Sequence, residues 1–232
     1  TRAFLSAKVP RAIGFGASEL KSISGDERGV SFEYAGVRFS LPMAGLFNAL
    51  NALSAIKLCE VLGISLATSA AALAKLPTVR GRVEHIDAGQ DFLAIVDYAH
   101  TPDSLRALYD AFPGKRKICV LGNTGGGRDV WKRPLMGRIA DESCEKVILT
   151  NEDPYDEDPQ AIVDAMARGM RRIPEIIMDR GEAIRAALRL ALSWSKGAAP
   201  LDSARGAGNQ DVAVLISGKG TDPFIMGAKG SK

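Results

Sequence analysis

From residue 92 onward, short apolar runs alternate with amphipathic ones. The runs are "FLAIVDY" (92–98), "KICVLG" (117–122), "KVILTN" (146–151), "EIIMD" (175–179) and "DVAVLISG" (211–218), with helical patterns near 102–111, 131–142, 159–171 and 181–194. A strand that is apolar on both faces must be covered on both, and the interleaved helices supply the covers. The alternation therefore predicts an α/β domain built on a mainly parallel, doubly wound sheet. The small, polar stretch 195–210 is expected to be a flexible loop before the last strand.

Upstream, "RGVSFEYAGVRFSL" (28–41) alternates apolar and polar residues around "AG" and predicts a hairpin. Apolar residues at spacings of three and four predict a helix from about Gly45 to Leu62, which Gly63 can end, and an Ala-rich helix follows over 65–75. "KLPTVRGR" then places Pro77 and Gly81 between helical and strand patterns. This is the candidate domain boundary, put near residue 79.

Composition removes several function classes. No apolar run approaches the roughly 18 residues that a membrane span needs. Thirty basic against 27 acidic residues form no basic tract, and aromatics make up only 6%, which argues against nucleic acid as a partner. Cys59, Cys119 and Cys144 are far apart and flanked by apolar residues, so three buried reduced thiols and a cytoplasmic location are expected. With His85 and His100 the only histidines, a metal would need oxygen ligands, which suits magnesium. The chain begins at Thr1 without a signal pattern and stops at "GAKGSK", and is read as a piece cut at both ends.

In a doubly wound sheet, ligands bind outside the carboxyl ends of the strands. Here those ends are polar: Asp97 and His100, then Asn123 to Asp129, Asn151 to Asp153, Asp179 and Arg180, and finally Lys219. "VDYAHTPDSL" is readable as a helix-opening turn, with Thr101 as N-cap and Pro102 in the first turn, or as a site where Asp97 accepts bonds from a ribose diol. "LGNTGGGRDVWKRP" (121–134) nearly fits the phosphate-loop pattern, but Arg128 stands where its lysine belongs and Asp129 where its hydroxyl belongs. Asp129 would add negative charge beside a phosphate, whereas an arginine fork matches a carboxylate. A carboxylate-bearing ligand fits Arg128 better. "TNEDPYDEDP" is either a solvated acidic loop or a pocket for an ammonium group, and "SGKG" (217–220) is a weak glycine-turn signal.

The order GLFNALNALSA, GRVE, VDYAHTPDSL, GGGRDVWKRPLMG, TNEDPYDEDP, DRGEAI and ISGKG resembles the Mur ligase family, and within it the branch that adds the third residue of the peptidoglycan stem peptide. The resemblance implies that residues 1–79 are the tail of a central ATPase domain and 80–232 a Rossmann-like C-terminal domain. It implies ATP and magnesium as cofactors, and UDP-N-acetylmuramoyl-dipeptide and a free amino acid as substrates. Asn48 and Asn51 match asparagines near the adenine, and Arg82 matches the junction arginine that reaches the ATP phosphates. Asp97 matches the ribose-binding carboxylate, and His100 belongs to the same motif. Arg128 matches the arginine that grips the amino acid's carboxylate, while Gly218 and Asp222 fall in the turn that contacts the same amino acid.

Two departures stand out. The turn reads "GKGTD" where the family has GKGHE, so Thr221 replaces its histidine and Asp222 its glutamate. The selectivity motif DNPR of diaminopimelate-adding members aligns with Glu152, Asp153, Pro154 and Tyr155, so that Tyr155 replaces the arginine. This replacement argues against diaminopimelate and leaves lysine, ornithine or another amino acid open. The family's phosphate loop, magnesium-binding glutamate and carbamylated lysine have no match and are expected upstream of Thr1, so the segment alone is expected to lack ligase activity. The implied chemistry is an acyl phosphate formed from ATP and then attacked by the incoming amine. Positioning and charge stabilisation supply most of the catalysis, with the GRV junction as hinge. A folate-polyglutamylating ligase and a noncatalytic nucleotide- or amino-acid-binding module are the competing readings.

Overall fold

The computed structural model describes residues 12–76, 78–127, 129–196, 211–228 and 230–231. The chain divides into two compact units, 1–77 and 78–232. After a 3-10 turn at Ala17–Glu19, the first unit forms an antiparallel meander of β1 (Lys21–Asp26), β2 (Gly29–Tyr34) and β3 (Val37–Leu41). Ala35 and Gly36, both at positive φ, make the two-residue turn that suits the twist of a hairpin. Val30, Phe32, Tyr34, Phe39 and Leu41 turn to one side and are buried, as period-two alternation requires. Phe32 and Phe39, paired across the strands, stack with ring centroids 5.4 Å apart.

Two helices cover that face, α1 (Phe47–Val61) and α2 (Leu66–Leu73). α1 contributes Ala49, Ala52, Leu53 and Ile56 to the core, one stripe at helical spacing. Ser65 caps α2 by accepting from the amide of Thr68 at 3.1 Å. The strand missing from the sequence reading is β1. Its six residues are all exposed, so it carries no burial alternation to read.

The second unit is the α/β body. Its six-stranded sheet has the order β4-β5-β9-β6-β7-β8, from β4 (Glu84–His85), β5 (Leu93–Val96), β6 (Arg116–Leu121), β7 (Lys146–Leu149), β8 (Glu175–Ile176) and β9 (Val212–Ile216). All neighbours are parallel except β4 with β5. The helices between them are α3 (Pro102–Asp110), α4 (Lys132–Ser143), α5 (Pro159–Ala167) and α6 (Arg180–Ser195). The chain leaves β5, skips the slot later filled by β9 and builds β6, β7 and β8 outward before returning. That reversal opens a crevice at the carboxyl edge.

Ala183, Ala187 and Ala191 let α6 lie close over Ile118, Val120, Ile148, Val212 and Val214. Alternate residues Cys119, Leu121, Leu149 and Leu215 point to the other face and are also buried. α4 and α5 approach closely where Gly137 faces the backbone of Met166 and Gly169 that of Pro134. A small hairpin of β10 (Met226–Gly227) and β11 (Gly230–Ser231) follows β9. The loop expected over 195–210 falls, for 197–210, outside the described residues.

The cysteines correct the sequence reading. Cys119 in β6 and Cys144 after α4 form a disulfide, their Cα atoms 6.1 Å apart, and Cys59 alone is free. The cause is register: Cys119 pairs with Val147 and the amide of Glu145 bonds to Lys117 O. The chain entering β7 is thereby drawn back beside β6. The location expected from three reduced thiols loses that support.

Candidate functional site at the carboxyl edge of the sheet

Asp97 leaves β5 with both carboxylate oxygens engaged. One accepts from the amide of Val83 at 2.8 Å, the other from that of Ala99 at 2.7 Å. Burial pushes this carboxyl above its ordinary range, against the pull of the two amides and of Arg82 and His100. Asp97 thus pins the Gly81–Val83 turn to the strand end. Within that turn the Arg82 guanidinium lies 4.6 Å from the Tyr98 ring centroid, a cation–π contact that leaves its N–H groups free for other acceptors. His100 shares a hydrogen bond of 2.9 Å with the Tyr98 carbonyl and meets the Tyr98 ring edge-on.

The glycine loop after β6 and the acidic loop after β7 form one assembly. Gly125 sits against the Pro154 backbone, where a Cβ would collide, and its amide donates to Asp153 O at 2.7 Å. Gly126 and Gly127 have positive φ. The triple glycine is therefore explained by close backbone approach and left-handed geometry together. Arg133, from the "KRP" of α4, makes a two-pronged bond to Glu157 at 2.8 and 2.9 Å, and the amide of Gly127 adds a third donor at 2.7 Å. These donors, Arg133 foremost, hold the Glu157 carboxyl down to about 2. A Tyr155 φ of +52° bends the acidic loop back, and the Tyr155 amide bonds to Met226 O at 2.9 Å.

The acidic loop has an ammonium partner within the protein. Lys219, only 5% exposed, donates to both oxygens of Asp153 and to Asp222, each at 2.8 Å. Burial pulls this ammonium down, but the two carboxylates outweigh it and its pKa is raised. Lys219 in turn holds the Asp222 carboxyl below its ordinary range, with help from the Phe224 amide. Asp158, the remaining structural carboxylate of the run, accepts from the Gln160 amide as N-cap of α5.

Glu152 lies deepest, 2% exposed. One oxygen accepts from the Thr124 hydroxyl at 3.1 Å, and the other has no partner. Burial pushes its pKa up, opposed chiefly by Arg180. Arg180 at the start of α6 donates to Ser217 O at 2.7 Å, while its Nη1 has no partner. Gly218, at φ +104°, faces the Glu152 carboxylate so closely that any Cβ would collide with it. Glu152 and Arg180 together therefore tie the loops after β6, β7, β8 and β9 to one another.

Beside these loops, His100, Thr101, Thr124, Gly125, Asp129 and Lys132 line a cleft of about 180 Å³. The sequence reading named His100 but not Lys132 or the pairing of Arg133 with Glu157. Both lie in the "KRP" triplet that carried the family resemblance, but a charge pattern alone does not say which cation is satisfied.

Asp97, His100, Glu152, Asp153, Tyr155, Gly218, Asp222 and Arg82 all belong to the second unit, on the loops at or next to the carboxyl edge. Asn48 and Asn51 belong to the first. Asn48 donates to Ala44 O at 2.7 Å and accepts from Asn51 at 3.0 Å. Arg128 lies outside the described residues. Among those described, no group of three or more His, Cys, Asp or Glu could hold a metal ion, and no helix is long and apolar enough to cross a membrane.

A switch-point crevice rimmed by glycine turns and paired charges is the place where open α/β sheets characteristically take small polar ligands. A family model, "Mur ligase, glutamate ligase domain", matches residues 81–220. The chain belongs to the Mur ligase family. It is 37% identical over 221 residues to the UDP-N-acetylmuramoyl-L-alanyl-D-glutamate–2,6-diaminopimelate ligase of Caldanaerobacter subterraneus subsp. tengcongensis, covering 92% of this chain and 42% of the relative. The enzyme of the same name from Chlorobaculum tepidum is 37% identical over 216 residues, with 90% and 39% covered. A solved ligase of this name superposes with a TM-score of 0.54 at 26% identity, over 91% of this chain and 42% of that one. The folylpolyglutamate synthase of Mycobacterium tuberculosis complexed with ADP shares the fold, with a TM-score of 0.67 at 23% identity over 87% and 45% of the two chains. The chain spans about two fifths of the length of the curated relatives it matches.

Proposed function

We propose that the protein carrying this chain is an ATP-dependent acid–amino-acid ligase that extends the peptide of UDP-N-acetylmuramoyl-dipeptide during peptidoglycan synthesis. The observation that carries this reading is the 37% identity to 2,6-diaminopimelate ligases across 92% of the chain. In the reaction a substrate carboxylate oxygen takes the γ-phosphoryl group of ATP and ADP leaves. The amine nitrogen of the incoming amino acid then attacks the acyl carbon, and phosphate and a proton depart. The cytoplasm, where such nucleotide-linked precursors are made, is the proposed location.

The chain's own part is to bind and orient. Arg82, spread over Tyr98 and fixed by the turn that Asp97 pins, is suited to neutralising phosphate charge. Asn48 and Asn51 are assigned to the adenine and Asp97 to the ribose side. Arg128, Gly218 and the loop from Glu152 to Tyr155 are assigned to the amino acid. Asp222 acts with Asp153 through Lys219, which fixes the turn against the acidic loop. Magnesium would neutralise phosphate charge when bound, but the described residues offer no ligand set for it.

The relatives' names favour 2,6-diaminopimelate as the added residue. A second reading, lysine or ornithine, rests on Tyr155, which offers a phenol in place of a guanidinium to a distal carboxylate. The test supplies the complete gene product with ATP, UDP-N-acetylmuramoyl-dipeptide and, one at a time, diaminopimelate, ornithine and the twenty common amino acids. Phosphate release is expected only when all three substrates are present and one amino acid fits. Release that ignores the amino acid, or equal turnover with folate and glutamate, overturns the proposal.

A further inference from the structure

Lys132 is 8% exposed and lines the cleft of about 180 Å³ beside the glycine loop. Its ammonium makes no hydrogen bond or ion pair among the described residues, and no ion pair joins it to Asp129, the cleft's own carboxylate. The residue's burial is that of its stem, while the ammonium, which is not among the solvent-excluded polar atoms, reaches the cleft. Lys132 is the first residue of α4, a helix without a side-chain cap at that end, where the macrodipole already contributes positive charge. Thr101, which lines the same cleft, is the N-cap of α3. Two helix starts and a lysine without a protein partner thus converge on one concavity, which Thr101 and Thr124 also line.

The concavity is complementary to an anion, and the single carboxylate on its wall limits which one. Asp129 would repel the compact multiple charge of a phosphate, but would meet the ammonium end of a zwitterion while Lys132 met its carboxylate. We infer that Lys132 is a carboxylate-binding residue for the incoming amino acid, a role that rests on the ligase reading above and deepens it. Lys219, equally buried, is already committed to Asp153 and Asp222. Lys132 is the buried lysine at this edge whose charge is left for a ligand.

The test uses the complete gene product and the variants Lys132→Met and Lys132→Arg. Lys132→Met is expected to raise the amino-acid KM about thirtyfold or more, in keeping with the loss of one partner of a buried charge pair, with the ATP KM within about twofold of wild type. Its thermal midpoint is expected to stay level or rise, because an unpaired cation has been removed. Lys132→Arg is expected to recover part of the affinity. An unchanged amino-acid KM, or a fall in thermal midpoint with no change in KM, overturns the inference. So does protection of the cleft by inorganic phosphate, read as competition against the amino acid that Lys132→Met abolishes. If the wild-type protein turns over with no amino acid, the ligase reading itself fails, and the wild-type control alone shows it.

Discussion

Two lysines at the same sheet edge are almost equally buried, 5% exposed for Lys219 and 8% for Lys132, yet their surroundings are opposite. Lys219 is enclosed by three carboxylate oxygens. Lys132 has none within ion-pair reach and opens onto a cleft. One charge closes the structure on itself; the other is the one proposed to meet the carboxylate of the incoming amino acid. Burial alone therefore does not separate a structural cation from a binding one; the partner inventory does.

The sharpest way to break this contrast is to remove each ammonium in turn. Lys219→Met strands Asp153 and Asp222 and is expected to cost about 3–5 kcal/mol, measured by urea unfolding of the second unit's transition. A loss below about 1 kcal/mol would make Lys219 as dispensable as a surface lysine. Gly218→Ala comes next. It forces a Cβ toward the Glu152 carboxylate at φ +104°, and a loss of about 1–3 kcal/mol is expected from the backbone conformation alone. An unchanged denaturation midpoint would mean that the loops yield freely and that the Glu152 hub is not rigid.

Acid titration probes the other enclosed pair. Glu157 has a pKa of about 2 in the folded protein against roughly 4.3 unfolded. Its contribution is therefore present in full above the unfolded value and is lost as pH falls toward 2. The thermal midpoint is expected to drop through that window, and Glu157→Gln to flatten that part of the curve. A profile identical in wild type and variant would remove Glu157 from the acid response. The smallest effect belongs to Lys132→Met, for which scanning calorimetry is expected to find no loss of stability.

The parallel sheet was legible because five strands apolar on both faces leave few other folds, and the strand ends told where to look. β1, β4, β10 and β11 were not legible. β1 is wholly exposed, and the other three have two residues each, too few for a period. "TNEDPYDEDP" is the clearest case of a motif found but misjudged in kind. The two sequence readings were a solvated loop with Asp158 capping before Pro159 and a pocket for a ligand's ammonium; Asp158 does cap α5, but neither reading gave the other carboxylates partners inside the protein. Instead Asp153 meets Lys219, Glu157 meets Arg133 and Glu152 is buried. Those partners lie 66 and 24 residues away in the chain, and no local pattern encodes them. The Cys119–Cys144 disulfide was hidden for the same reason, since it depends on the β6–β7 register.

In the proposed function the carboxyl edge of this sheet receives the amino acid, and the glycine loop serves a carboxylate and not a nucleotide phosphate. Steady-state kinetics of Arg128→Ala in the complete gene product separate the two. A large rise in the amino-acid KM is expected, with the ATP KM nearly unchanged. A raised ATP KM beside an unaltered amino-acid KM would return the loop to phosphate binding and overturn the proposal.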